Sequence, residues 1–255
     1  MFTAWIGALL VGLVLGLLGS GGSILTVPVL VYLVGEPSKL AIAESLGIVT
    51  LVSFVGALPF VYRRQVSWRC VGLFGGPGMG GAYLGAWLST FMTGALQLAI
   101  FAVVMLLAAV LMFRREGPAP SEASAPRAFW KVMLDGLGVG ILTGLVGVGG
   151  GFLIVPALVL LGGLSMHLAI GTSLLIISAK SVSGFVKYVE VLGDAGLTMH
   201  WDLMLVFSII GIAGSVIGGR VGTYIPQARL KRGFALFLVV MGVGILGQNL
   251  MTLMG

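Results

Sequence analysis

Most of this 255-residue chain is a succession of apolar runs broken by short polar stretches. The runs lie near 2–18, 20–34, 40–61, 70–88 and 95–113, then near 130–147, 150–161, 166–188, 202–223 and 232–250. Many approach the ~20 residues that a helix needs to cross a bilayer. In lipid a backbone must satisfy its own hydrogen bonds, so each run is expected to be helical. The short alternating strands of a β-barrel are not visible. The first two runs of each set are only some 12–17 residues long. Each such pair is either one crossing broken at glycine or a hairpin that enters and leaves on the same side. Between the sets lies REGPAPSEASAPR (115–127), polar and rich in Pro and Ala, which reads as a flexible linker.

The two sets are copies of one unit. Residues 12–30 read GLVLGLLGSGGSILTVPVL and residues 140–158 read GILTGLVGVGGGFLIVPAL. Gly12, Gly16, Gly19, Gly21, Gly22 and Pro28 recur 128 residues later as Gly140, Gly144, Gly147, Gly149, Gly150 and Pro156. The match continues from Ala41–Leu46 to Ala169–Leu174 and from Gly56 to Gly184. After an insertion of five residues, Trp68 pairs with Trp201, Gly81 with Gly214 and Gly85 with Gly218. A duplicated membrane unit whose copies each carry a glycine-broken apolar segment is the best sequence pointer to a transport site.

Composition agrees with the apolar pattern. Hydrophobic residues make up 58% of the chain and charged residues 9%, too little polar surface to cover a soluble domain of this size. The N-terminal run has no charged leader and flows into the repeat, so it is not expected to be a cleavable signal. A net charge of +6 would suggest nucleic acid in a soluble protein, but here the cations sit between apolar runs, and no nucleic-acid partner is expected. The single cysteine, Cys70, excludes an internal disulfide or a cysteine-rich metal site.

Loop charge discriminates between the two readings of the short pairs, because cytoplasmic loops concentrate Lys and Arg. If each pair is a single crossing, Lys39, Arg229, Lys231 and Arg232 oppose the remaining loop cations. If each is a hairpin, Arg63, Arg64, Arg69, Arg114, Arg115, Arg127, Lys131, Arg229, Lys231 and Arg232 share one side and only Lys39 and Lys187 face them. The hairpin reading is the cleaner. It predicts an all-α polytopic membrane protein of two inverted repeats, each a glycine-broken hairpin followed by three transmembrane helices. The repeats occupy 1–113 and 130–255, joined by a cytoplasmic linker at 114–129, with both termini periplasmic.

Candidate chemistry gathers at the hairpin tips. At Ser20, Gly21, Gly22 and Ser23, and again at Val148, Gly149, Gly150 and Gly151, one helix ends and another begins. A starting helix offers unpaired N–H groups and partial positive charge, and glycine lets the backbone approach a ligand. Two such tips could meet near the midplane around a small anion. Packing alone suffices for Gly12/Gly16, Gly81/Gly85 and Gly214/Gly218, and the last two pairs could also serve a homo-oligomer interface. Lys180 lies well inside a span, where a charge costs roughly 2.5–3.5 kcal/mol on insertion scales. It either contacts an anionic substrate or pairs with Glu44. Glu44 is then a proton-coupling site, the partner of Lys180, or a residue snorkelling to the interface. Ser45, Thr172 and Ser173 hold matching repeat positions and can donate to an anion or to their own helix. Ser178, Ser181 and Ser183 follow at roughly helical spacing. His167 and His200 stand at loop edges without companions, so no metal site and no cofactor are expected. Trp68, Trp130 and Trp201 fall where an aromatic belt would place them.

The doubled G-L-x-G-x-G-G-[SG]-x-L-x-x-P-x-L motif, followed by A-I-[AG]-x-S-L, resembles the TauE/SafE family of membrane transporters over essentially the whole chain. The resemblance implies passage, as export, of a small organosulfur anion such as sulfite or sulfoacetate across the inner membrane. The positions it carries over are Ser20 to Ser23, Val148 to Gly151, Glu44-Ser45 and Thr172-Ser173. One departure stands out: the second half has Gly171-Thr172-Ser173, the first Ala43-Glu44-Ser45. An acid beside an anion must be protonated or paired. A carboxylate carrier or a channel is the alternative reading. An intramembrane enzyme would have only Glu44 with Lys180 as a candidate pair, since neither histidine is deep. An ATP-driven pump would need another subunit, since no phosphate-binding Gly-x-x-x-x-Gly-Lys-[Ser/Thr] loop is present.

Overall fold

The computed structural model describes residues 2–19, 21–114, 129–146, 151–161, 163–194 and 197–254. Among them there is no strand. The helices are α1 (Phe2–Leu18), α2 (Gly21–Pro28), α3 (Ser38–Tyr62), α4 (Trp68–Cys70), α5 (Gly76–Leu88), α6 (Gly94–Arg114), α7 (Phe129–Val146), α8 (Gly151–Pro156), α9 (Met166–Asp194), α10 (Trp201–Gly222) and α11 (Gln227–Met254). By length and apolarity, Ser38–Tyr62, Gly94–Leu111, Met166–Asp194, Trp201–Gly222 and Ala228–Gly247 are each able to cross a membrane. Large apolar side chains such as Leu51, Phe54, Leu107, Ile209 and Val240 point outward, as a lipid-facing surface requires.

Proline and glycine shape both short pairs in the same way. α1 stops at Gly19, whose φ of 72° needs no Cβ, and the Gly19 N–H closes on Leu15 O at 2.8 Å. α2 then returns. Pro28 lacks an N–H and its ring crowds the carbonyl four residues back, and beyond it the chain widens into a π turn, Val29–Val34. Gly35, at φ 90°, ends that turn, and the N–H groups of Gly35 and Glu36 both reach Leu30 O. In the second copy α8 widens after Pro156 into a π turn, Ala157–Leu161, and Leu164 N–H reaches Leu158 O at 3.0 Å. A Cβ placed on Gly7 would touch Val29 and Leu33, so the return arm lies back along α1.

Small residues fix how the helices pair. A Cβ on Gly12 or Gly16 would strike the Gly211 or Ser215 backbone, and one on Gly81 or Gly85 the Leu137 or Ile141 backbone. The pairs α1–α10 and α5–α7 therefore pack backbone to backbone, and both run parallel. α3 is also parallel to α10, with Gly47 against Met204 and Gly56 against Ser215. In contrast, α3 and α9 are antiparallel: Gly171 meets Phe60, the Ser178 hydroxyl donates to Thr50 O at 3.2 Å, and Gly184 meets Leu46.

These directions bear on the two readings of the short pairs. Because α1 and α3 both follow α10, they run the same way, and residues 21–34 return between them. The first short pair enters and leaves at one end of the molecule. α5 and α9 run together, with Gly75 against Ile176 and Gly78 against Lys180, so α7, paired with α5, runs against α1. Helix order then places Arg63, Arg64, Arg69, Lys131, Arg220, Arg229, Lys231 and Arg232 toward one end, and Lys39 and Lys187 toward the other. The Gly81/Gly85 and Gly214/Gly218 faces, which could have served an oligomer interface, pack within the chain on α7 and α1 respectively.

Candidate functional site

The antiparallel pair α3–α9 is the axis of the molecule. Its residues Ala41–Val49 and Ala169–Leu174 are almost wholly buried. The first hairpin tip leans on the start of α9. A Cβ on Gly19 would lie 2.7 Å from Ile170 Cα, and the Ser173 hydroxyl lies 2.9 Å from Gly19 O and 2.8 Å from Ile170 O. The end of α7, just before the second tip, rests on the other half of α9. There Leu145 O accepts from Gln97 Nε2 at 2.8 Å and from the Tyr188 hydroxyl at 3.2 Å. These side chains answer one of the carbonyls that a helix end leaves without an intrahelical donor. Ser173 and Tyr188 are fifteen residues apart on one helix, about 22 Å at 1.5 Å per residue. Gly19 and the end of α7 thus meet α9 at different levels, while α2 and α8, which open at the two tips, touch one another.

Lys180 stands midway. Its side chain is 1% exposed and its Nζ has no hydrogen-bond partner among the described residues. Its stem lies against Gly78 of α5, where an added Cβ would come within 2.9 Å of Lys180 Cδ. Among the described residues the buried hydroxyls of Ser53 and Ser181 also have no hydrogen-bond partner. A buried polar group without a partner is costly unless function requires it. These groups occupy the middle stretches of α3 and α9. Ser53 was not singled out by sequence, although it holds the repeat position matching Ser181.

Of the two readings of Lys180, the ion pair with Glu44 does not form among the described residues. Glu44 is fully buried six residues into α3. Its Oε1 accepts the His200 backbone N–H at 2.8 Å and lies 3.5 Å from His200 Nδ1. The α3–α9 register places Lys180 near the level of Thr50 instead, almost two helical turns away. His200 likewise has companions after all, because Nδ1 is 2.9 Å from Glu36 Oε1.

The other nominated residues divide as follows. Ser45 donates to Ile42 O at 2.7 Å. Thr172 donates to Leu168 O at 2.6 Å and accepts the Ser67 N–H at 2.9 Å. Ser183 donates to Met79 O, tying α9 to α5. Gly21, Gly22 and Ser23 open α2, and Gly151 opens α8. Ser20, Val148, Gly149 and Gly150 lie outside the described residues.

Lipid-length apolar helices, packed backbone to backbone around a buried helix pair, define a polytopic helical membrane protein. Residues 4–245 match the sequence profile of the sulfite exporter TauE/SafE family. The chain belongs to that family, and it is a membrane transporter. A probable membrane transporter protein of Xylella fastidiosa is 31% identical over 94% of this chain and 92% of its own length. The probable membrane transporter protein YdhB of Bacillus subtilis is 26% identical over 93% of this chain and 96% of its own. One from Haemophilus influenzae is 25% identical over 96% and 99%. No solved structure matches the chain.

Proposed function

We propose that the chain is a secondary transporter exporting a small organosulfur anion, such as sulfite, sulfoacetate or a similar sulfonate, across the bacterial inner membrane. Lys180 carries this reading: an ammonium group buried at mid-height without a partner suits a ligand that brings its own negative charge. The family description supplies sulfur. A pyramidal or tetrahedral oxyanion fits converging N–H and O–H donors. In this scheme the anion meets one glycine tip (Ser20–Ser23), passes Lys180 with Ser53 and Ser181, and leaves by the other tip (Val148–Gly151). The two repeats are inverted in the membrane and rock about α3–α9 to alternate access.

Counterflow in proteoliposomes preloaded in turn with sulfite, sulfoacetate, sulfate, acetate and chloride tests the substrate. Selective exchange of a sulfur anion is expected. Exchange of acetate alone would discard the sulfur assignment, and no exchange at all would discard the anion. The positive-inside rule orients the basic end to the cytoplasm and both termini to the periplasm. On a Cys70→Ser background, Thr198→Cys should then react with an impermeant thiol reagent in intact cells, and Tyr224→Cys only after permeabilisation. The reverse pattern would invert the orientation.

A further inference from the structure

Glu36, Glu44 and His200 come together from three separate elements: the connection after the first hairpin, the buried start of α3, and the residue before α10. Each offers a ligand atom, and these atoms lie within 4.8 Å of one another. The His200 Nδ1 distances of 2.9 Å to Glu36 Oε1 and 3.5 Å to Glu44 Oε1 bracket the ~3.3 Å edge of a tetrahedron whose ligands sit about 2.0–2.1 Å from a metal. Glu44 is fully buried, yet its Oε2 has no hydrogen-bond partner among the described residues. Among the described residues no lysine or arginine forms an ion pair with either carboxylate. Two carboxylates this close, one of them out of water, repel unless a cation or a proton intervenes. The half-exposed imidazole leaves a way in from solution.

The other half of the chain shows that the fold does not need this chemistry. Repeat positions matching Glu36, Glu44 and His200 are Leu164, Thr172 and Ser67. There the Thr172 hydroxyl accepts the Ser67 N–H at 2.9 Å, just as Glu44 accepts the His200 N–H at 2.8 Å. A neutral hydroxyl therefore suffices to cap this backbone group. The two acids and the imidazole exceed the structural requirement, and they do so at one end only.

We propose that Glu36, Glu44 and His200 form a site for a divalent cation that accepts mixed imidazole and carboxylate ligands, zinc being the best fit. The ion takes the place of the His200 Nδ1 proton, neutralises the paired carboxylates and keeps an open position toward solution. It clips the connection after the first hairpin to α3 and α10, joining the two halves at the end opposite the basic cluster.

The test uses the full-length chain in detergent, without a histidine tag, freed of metal and titrated with zinc against a competing chelator. One zinc per chain is expected, with a rise in melting temperature that magnesium does not reproduce. His200→Ala, Glu36→Gln and Glu44→Thr should each weaken zinc binding by at least about tenfold. His200→Ala changes an exposed side chain, and Glu44→Thr restores the cap used by the other half, so both should fold. Absence of stoichiometric zinc, or zinc binding undiminished in all three variants, would overturn the proposal.

Discussion

The slot beside Gly211 on α10 and the slot beside Gly78 on α5 are the same place in the two copies, filled differently. An added Cβ on Gly211 would meet Val52 Cγ2 at 2.9 Å; one on Gly78 would meet Lys180 Cδ at 2.9 Å. Val52 and Lys180 hold matching repeat positions and are equally buried. Shape alone is satisfied by valine, at no electrostatic cost. The second copy puts an ammonium group into an equivalent slot, so its charge is not explained by packing. Glu44 and Thr172 teach the same lesson, since both cap a backbone N–H and only one is acidic. In these two pairs the shared geometry serves the fold, and the residue that departs from its repeat mate is the candidate for chemistry.

The largest expected effect comes from erasing the first difference. Lys180→Val makes the second copy resemble the first. If Lys180 handles the substrate, anion counterflow should fall at least about a hundredfold, whereas thermal stability should hold or rise, by up to the ~3 kcal/mol charged for a lysine at mid-membrane. A variant that transports normally would remove Lys180 from the mechanism. One that fails to fold would make the lysine structural.

Next come positions where the copies agree. Gly16 and Gly144 match in the repeat, and a Cβ on either would drive into a backbone carbonyl, of Ser215 or Ala82 respectively. Gly16→Val and Gly144→Val should each cost about 1–3 kcal/mol or more, because an overpacked backbone contact cannot be relieved by a rotamer change. Melting of each variant in detergent measures the pair. A large loss in one and none in the other would show that the halves do not share their packing.

This division also explains what the sequence revealed. The hairpins were legible because glycine and proline constrain the backbone locally, and because loop cations betray which ends lie together. The repeat itself made Gly12, Gly16, Gly81 and Gly85 recognisable as packing residues. Tertiary neighbours were not legible. Glu44 reads in the sequence as the one carboxylate at a depth comparable to Lys180, yet the α3–α9 register sets them almost two turns apart. Glu44 instead meets His200, 156 residues away. A signal existed: the match of Trp68 to Trp201 also aligns Ser67 with His200, and Glu44 was already aligned with Thr172. Ser53 escaped for a similar reason, since a lone serine in an apolar run carries weight only beside Ser181.

The smallest effect belongs to the shared cap. Thr172→Val keeps the side-chain volume but strips the acceptor from the Ser67 N–H, which should cost about 1 kcal/mol. Glu44→Gln keeps an oxygen for the His200 N–H and relieves the repulsion from Glu36. In metal-free protein it should therefore cost less than Thr172→Val, and it should raise the melting temperature if the carboxylate is ionised in its buried position. The ordering carries the argument more than either value. A Glu44→Gln variant less stable than Thr172→Val without metal would mean that the first copy relies on the charge of Glu44 to fold, and that the two caps are equivalent in geometry alone.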